Sequence, residues 1–83
     1  MASVEDLEGK MRASPKSVRH EELLKVCRAY FDGERQGSGS HIRFKTPWVG
    51  DPRINIQDKR GMAKPYQVKQ VLQAIDKLKG VEQ

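Results

Sequence analysis

From Ser40 to Lys45 the chain reads Ser-His-Ile-Arg-Phe-Lys, with polar and apolar residues in strict alternation from His41 onward. That pattern leaves few conformations open. A strand's period of two puts Ile42 and Phe44 on one face and His41, Arg43 and Lys45 on the other. A second alternating run, Arg53-Ile54-Asn55-Ile56-Gln57, again separates two isoleucines from an arginine and two amides. Between the runs, Thr46-Pro47-Trp48-Val49-Gly50-Asp51-Pro52 carries two prolines and a Gly-Asp pair and reads as a turn. If the runs pair as a hairpin, their isoleucines and phenylalanine enter a core and their polar residues share a surface. That surface holds one histidine among cations and amides, a set of groups suited to RNA phosphates.

The residues before the first run add to this. In Gly37-Ser38-Gly39-Ser40 the glycines can take positive φ and let backbone approach a ligand closely, while the serines add hydroxyls and amides that can grip a phosphate. An ordinary hairpin turn has the same composition, and the histidine that follows is what favours a functional reading. Glu34-Arg35-Gln36 reads as a short edge strand leading into this turn.

Two helices flank the strands. Ser17 is a plausible N-cap, Glu21 and Glu22 lie where the helix dipole favours negative charge, and Leu23, Leu24, Cys27, Tyr30 and Phe31 form one apolar stripe. Asp32-Gly33 is expected to stop this helix. Cys27 falls on the buried stripe and reads as a core residue, and His20 reads as solvated and without a role. The second helix opens at Pro65 and carries Val68, Val71, Leu72, Ile75 and Leu78 at spacings of three and four, ending near Gly80. The Asp58-to-Lys64 segment before it reads as a basic loop. It sets Lys59, Arg60 and Lys64 beside the positive end of the helix dipole, a natural place for a phosphate.

Residues 1–16 read as a flexible arm: Val4, Leu7 and Met11 have helical spacing, but Gly9 and Ser14-Pro15 interrupt it. The domain is then 17–80, with the order helix, strand, strand, strand, helix. This predicts an α+β fold in which a three-stranded antiparallel sheet carries both helices on one face. Trp48 suits either a cap on the core or a stacking surface.

Composition narrows the partners. Eighty-three residues suit one small domain, and a net charge of +5 is compatible with a polyanion. From Arg35 to Arg60 six cationic residues stand against two acidic ones, so much of that excess falls in the sheet region. One cysteine allows no internal disulfide framework, and no Cys/His spacing suggests zinc. No apolar run is long enough for a signal peptide or membrane span, so a reducing cytoplasm is the default expectation.

The segment Gly39-Ser40-His41-Ile42-Arg43-Phe44, after a Leu-Leu helix and before a helix reading Tyr-Gln-Val-Lys-Gln-Val-Leu, resembles the HicA toxins of bacterial HicA–HicB toxin–antitoxin pairs. The resemblance spans about residues 17 to 79. It implies a double-stranded-RNA-binding-domain-like fold and a cofactor-free, metal-independent endoribonuclease acting on mRNA in the bacterial cytoplasm. It further implies a HicB-like antitoxin as partner, with no membrane and no DNA contact by the toxin itself. His41 matches the family's catalytic histidine, and Gly39 and Ser40 match the turn that presents it. The Pro-x-His-type segment found after the third strand in many members is replaced here by Gln57-Asp58-Lys59-Arg60, so a second catalytic histidine is not implied.

Histidine titrates near neutrality and can act as acid or base in phosphodiester cleavage. Arg43, Lys45 and Arg53 are the candidates for phosphate contact and charge stabilisation, with Gly39, Ser40, Lys59, Arg60 and Lys64 as further phosphate-binding candidates. Two other classes remain open: a non-catalytic double-stranded-RNA-binding module and an interaction domain without RNA.

Overall fold

The computed structural model describes residues 3–37, 39, 41–47 and 53–80. Among these residues there are three α-helices, a 3-10 turn at Pro15–Ser17 and four strands. The helices are α1 (Val4–Ala13), α2 (His20–Tyr30) and α3 (Pro65–Leu78). The strands are β1 (Asp32–Gln36), β2 (His41–Lys45), β3 (Ile54–Lys59) and β4 (Met62–Ala63). They form one antiparallel sheet in the order β1-β2-β3-β4. No helix among the described residues is long and apolar enough to cross a membrane.

The alternating runs pair as their pattern predicts, with Ile42 opposite Ile56 and Phe44 opposite Ile54. All four side chains are buried, while His41, Arg43, Lys45 and Asn55 are exposed. The helices therefore cover one face of the sheet. Leu23, Val26 and Cys27 of α2 and Val68, Val71, Leu72 and Ile75 of α3 complete the core with the sheet's apolar residues. Burial pushes the Cys27 thiol up to about 12, in keeping with a core residue and not a nucleophile.

The architecture is richer than the expected three strands and two helices. Residues 4–13, expected as part of a flexible arm, form α1, opened by a capping box in which Asp6 N–H donates to Ser3 Oγ at 3.2 Å and Ser3 N–H to Asp6 Oδ2 at 3.3 Å. Leu7 and Met11 join the core, with Met11 at 0% exposure, so α1 packs on α2 and α3. Gly9 does not break the helix: its missing side chain would meet nothing within 4 Å, and its cost is only the local one of glycine in a helix.

A polar cluster reinforces the dock. Glu8 accepts from the Tyr30 hydroxyl at 2.7 Å and pairs with Arg12 and Lys79, each at 3.0 Å, while Arg12 also reaches Asp76 at 2.6 Å. Burial raises the Glu8 pKa, but its bonds from Tyr30, Lys79 and Arg12 outweigh that and hold the carboxyl below its ordinary range.

The expected basic loop at 58–64 is a hairpin. Lys59 pairs with Met62 across a two-residue turn in which Arg60 (φ 54°) and Gly61 (φ 85°) both take positive φ, the type I′ geometry that matches strand twist. Val18 then runs extended beside β4, its carbonyl accepting from Ala63 N–H at 2.9 Å, which prevents a helix from starting at Ser17. Instead α2 begins at His20, and the Glu22 carboxylate accepts from Arg19 N–H at 2.9 Å. At its other end α2 stops at Tyr30 without a glycine cap. Gly33 (φ 69°) serves a bulge in β1, where the register shifts between Asp32 and Arg35.

Met11→Ala is expected to cost about 2–5 kcal/mol, the usual range for emptying a fully buried methionine site. Urea unfolding of the full chain checks this. A loss near zero would return α1 to the status of an arm.

Candidate functional site

His41 is the first residue of β2, and its surroundings follow from how the backbone is paired. Its carbonyl accepts from Gly37 N–H at 2.8 Å, closing the β1–β2 hairpin. Opposite it, Gln57 N–H donates to Gln67 Oε1 at 2.8 Å. These two backbone groups thus point away from each other, so His41 and Gln57 form a non-hydrogen-bonded pair, the kind whose Cα atoms lie about 4.5 Å apart with close side chains. Arg43 and Asn55, two residues along, form a pair of the same kind.

Gly37, His41, Arg43, Asn55, Tyr66 and Gln67 line one cavity of about 330 Å³. Each of the four elements contributes for a local reason. Gly37 leaves the hairpin side open: the position of a Cβ there is 3.6 Å from Arg43 Nη2 and 3.7 Å from His41 Cβ, so the Arg43 guanidinium and the base of the His41 side chain border a common point. β2 and β3 supply His41, Arg43 and Asn55 because their alternate residues are committed to the core. Pro65 opens α3, which brings Tyr66 and Gln67 into its first turn at the edge of the polar face. Gln67 is buried and stands in for a strand carbonyl just beyond the end of β4, which satisfies Gln57 N–H.

The electrostatics divide the molecule. On the helical side three basic groups are held by carboxylates: Lys10 by Glu22 at 2.8 Å, Arg12 by Glu8 and Asp76, and Lys79 by Glu8. Arg28 holds Glu34 in a two-point pair at 2.8 and 2.9 Å. Around the cavity, by contrast, no described carboxylate pairs with Arg35, His41 or Arg43. Arg35 stands directly opposite Arg43 across β1 and β2. Facing cations of this kind are destabilising unless an anion or solvent relieves them.

The other candidates are spread along the face and its rims. Gly39 (φ 62°) lies exposed in the hairpin turn, a conformation that suits glycine. Ser40 and Trp48 lie outside the described residues. Lys45 is four residues from His41, about 13 Å along a strand, and lines a different hollow with Phe31, Pro47 and Leu78. Its stem lies over Gly33, where an added Cβ would come within 2.7 Å of Lys45 Cγ. Arg53 immediately precedes β3 at the same end as Lys45. Lys59 ends β3, Arg60 is in the following turn, and Lys64 stands just before α3. Among the described residues of the expected set, only His41 and Arg43 line the cavity; Gly39, Lys45, Arg53, Lys59, Arg60 and Lys64 do not.

Tyr66 and Gln67 were not among the sequence candidates. Tyr66 lies off the apolar stripe Val68-Val71-Leu72-Ile75, which marks an aromatic left to solvent. Gln67 lies on that stripe four residues before Val71, and a buried amide there requires a hydrogen-bond partner. Among the described residues no three His, Cys, Asp or Glu side chains gather as metal ligands would. Comparison with protein-family models, with curated proteins and with solved structures finds no match for this chain.

His20, half-buried with Nδ1 shielded and unpartnered, contrasts with exposed His41. Diethyl pyrocarbonate is expected to modify His41 first, read by peptide mass spectrometry. Earlier modification of His20 would contradict the exposure assigned to the two rings.

Proposed function

We propose that this chain is a HicA-like toxin: a metal-independent endoribonuclease that cuts mRNA with His41, on a double-stranded-RNA-binding-domain-like arrangement of α2, β1, β2, β3 and α3. The observation that carries the reading is an exposed imidazole beside Arg43, with no described carboxylate to neutralise either. An anion is the missing complement, and a phosphodiester supplies one that histidine can act on.

In the reaction the RNA 2′-oxygen bonds to phosphorus, the bond from phosphorus to the 5′-oxygen breaks, and a 2′,3′-cyclic phosphate and a 5′-hydroxyl result. One proton leaves the 2′-hydroxyl and one must reach the departing 5′-oxygen. His41 performs one of these transfers, and Arg43 donates to the non-bridging oxygens as negative charge builds on them. Arg35, across the strand, adds to the same field. Lys45 and Arg53 at one end, and Lys59 and Arg60 at the other, bind flanking phosphates by charge, away from the cleaved bond. A HicB-like antitoxin inhibits by covering this face with an acidic or hydrogen-bonding surface.

His41→Ala is expected to slow cleavage of a defined RNA at least about 100-fold, the lower bound for a lost general acid or base, while binding stays close to wild type. Arg43→Ala is expected to weaken binding and make the log–log salt slope shallower by about 0.7, one phosphate contact on a single strand. Cleavage by His41→Ala at the wild-type rate overturns the nuclease. Binding with no cleavage by either protein favours a non-catalytic RNA-binding module, and no binding at low salt overturns both.

A further inference from the structure

The cavity has a wall that phosphate chemistry does not use. Tyr66 is 55% exposed, yet it stands beside Gln67, which is 3% exposed. Gln67 is fixed at its oxygen by Gln57 N–H at 2.8 Å, and its Nε2 lies 3.4 Å from the Tyr66 hydroxyl. The first turn of α3 is thus tied to the sheet through Gln67, and it sets the neighbouring Tyr66 ring at the His41 cavity. Tyr66 is not needed by the core, whose α3 contribution comes from Val68, Val71, Leu72, Ala74 and Ile75. Asn55, which lines the same cavity, has an amide with both donor and acceptor atoms. A volume of about 330 Å³ is at the small end of ligand sites, roughly 300–1,000 Å³. It suits one nucleotide and not a duplex.

We propose that Tyr66 is the stacking platform for one unpaired base next to the cleaved phosphodiester, with Asn55 hydrogen-bonding to that base's edge. This inference rests on the ribonuclease reading and extends it: the substrate is RNA that is single-stranded at the cut. A base can lie on the phenol only when it is unstacked from its neighbours and splayed from any partner strand. The backbone of that nucleotide then runs past Arg43 and His41, which border the same cavity. Stacking tolerates every base because each has a π face, so sequence preference at this position is set by Asn55 and is modest.

The test separates base binding from cleavage by working on a non-cleaving background. The full chain carrying His41→Ala, His41→Ala with Tyr66→Ala, and His41→Ala with Tyr66→Phe is titrated with a fluorescently labelled single-stranded decanucleotide RNA and with its duplex. Circular dichroism melts establish that each variant is folded. Loss of the ring is expected to weaken single-strand binding roughly ten-fold, within the range for one base on one aromatic side chain. Phenylalanine is expected to restore it, because the face and not the hydroxyl does the work. Duplex binding is expected to be insensitive to both changes at position 66. Equal single-strand affinity with and without the ring overturns the proposal, as does failure of phenylalanine to restore binding in a folded protein. If wild type never cuts the decanucleotide but the ring dependence holds, the base site is supported and the nuclease reading is what fails.

Discussion

The register of β2 on β3 is the constraint on which the remaining structure depends. Ile42 faces Ile56 and Phe44 faces Ile54, and these four side chains form the floor on which α2 and α3 pack. Because the side-chain period of a strand is two, a slip of one residue would bury His41 and Arg43 and expose the isoleucines. Desolvating an unpaired guanidinium costs far more than any compensating contact returns, so the slip is forbidden by the same burial that drives folding. Exposure of the imidazole is thus a consequence of packing on the other side of the sheet. The bond from Gln57 N–H to Gln67 Oε1 extends this register to α3 and fixes where the first turn of that helix meets the polar face.

Charge follows the same division. The acidic side chains Glu8, Glu22, Glu34 and Asp76 are all engaged by cations, and each carboxyl is held below its ordinary range by those bonds. Most of these pairs tie helices together; the Arg28–Glu34 pair joins α2 to β1. Consumption of acid on that side leaves Arg35 and Arg43 facing each other next to His41 without a described counter-charge. In a chain of net charge +5, it is this distribution, more than the total, that leaves unpaired positive charge on the sheet face.

Much of this was legible in the sequence wherever a period was strong. The alternation at 41–45 and 54–57 gave β2, β3 and their exposed residues, and the stripe from Val68 to Ile75 gave α3. Where the period was weak or short, other forces decided. Leu7 and Met11 carried the signal of α1, but Gly9 and Pro15 outweighed it in a local reading; what stabilises the helix is tertiary, through the core and the bonds of Glu8 to residues up to 71 positions away. β4 is two residues long and has no period to find, and its turn uses Arg-Gly where asparagine or aspartate usually precedes the glycine. Of the candidate site, His41 and Arg43 could be read because the strand pattern fixed both. Lys45, Arg53 and the cations of 59–64 were grouped with them by charge, but charge carries no distance, and the cavity excludes them. Tyr66 and Gln67 were hidden because their role depends on where a helix start meets a strand end.

The central claim is that one imidazole moves a proton in an attack by the RNA's own 2′-hydroxyl. It is tested most directly with two versions of one oligonucleotide in the presence of a chelator, one all-ribose and the other with a single 2′-deoxy nucleotide at the mapped cut. The account predicts cleavage of the first to a 2′,3′-cyclic phosphate and a 5′-hydroxyl, and an intact second strand at that position. Equal cleavage of both strands, or products ending in a 5′-phosphate, would contradict it.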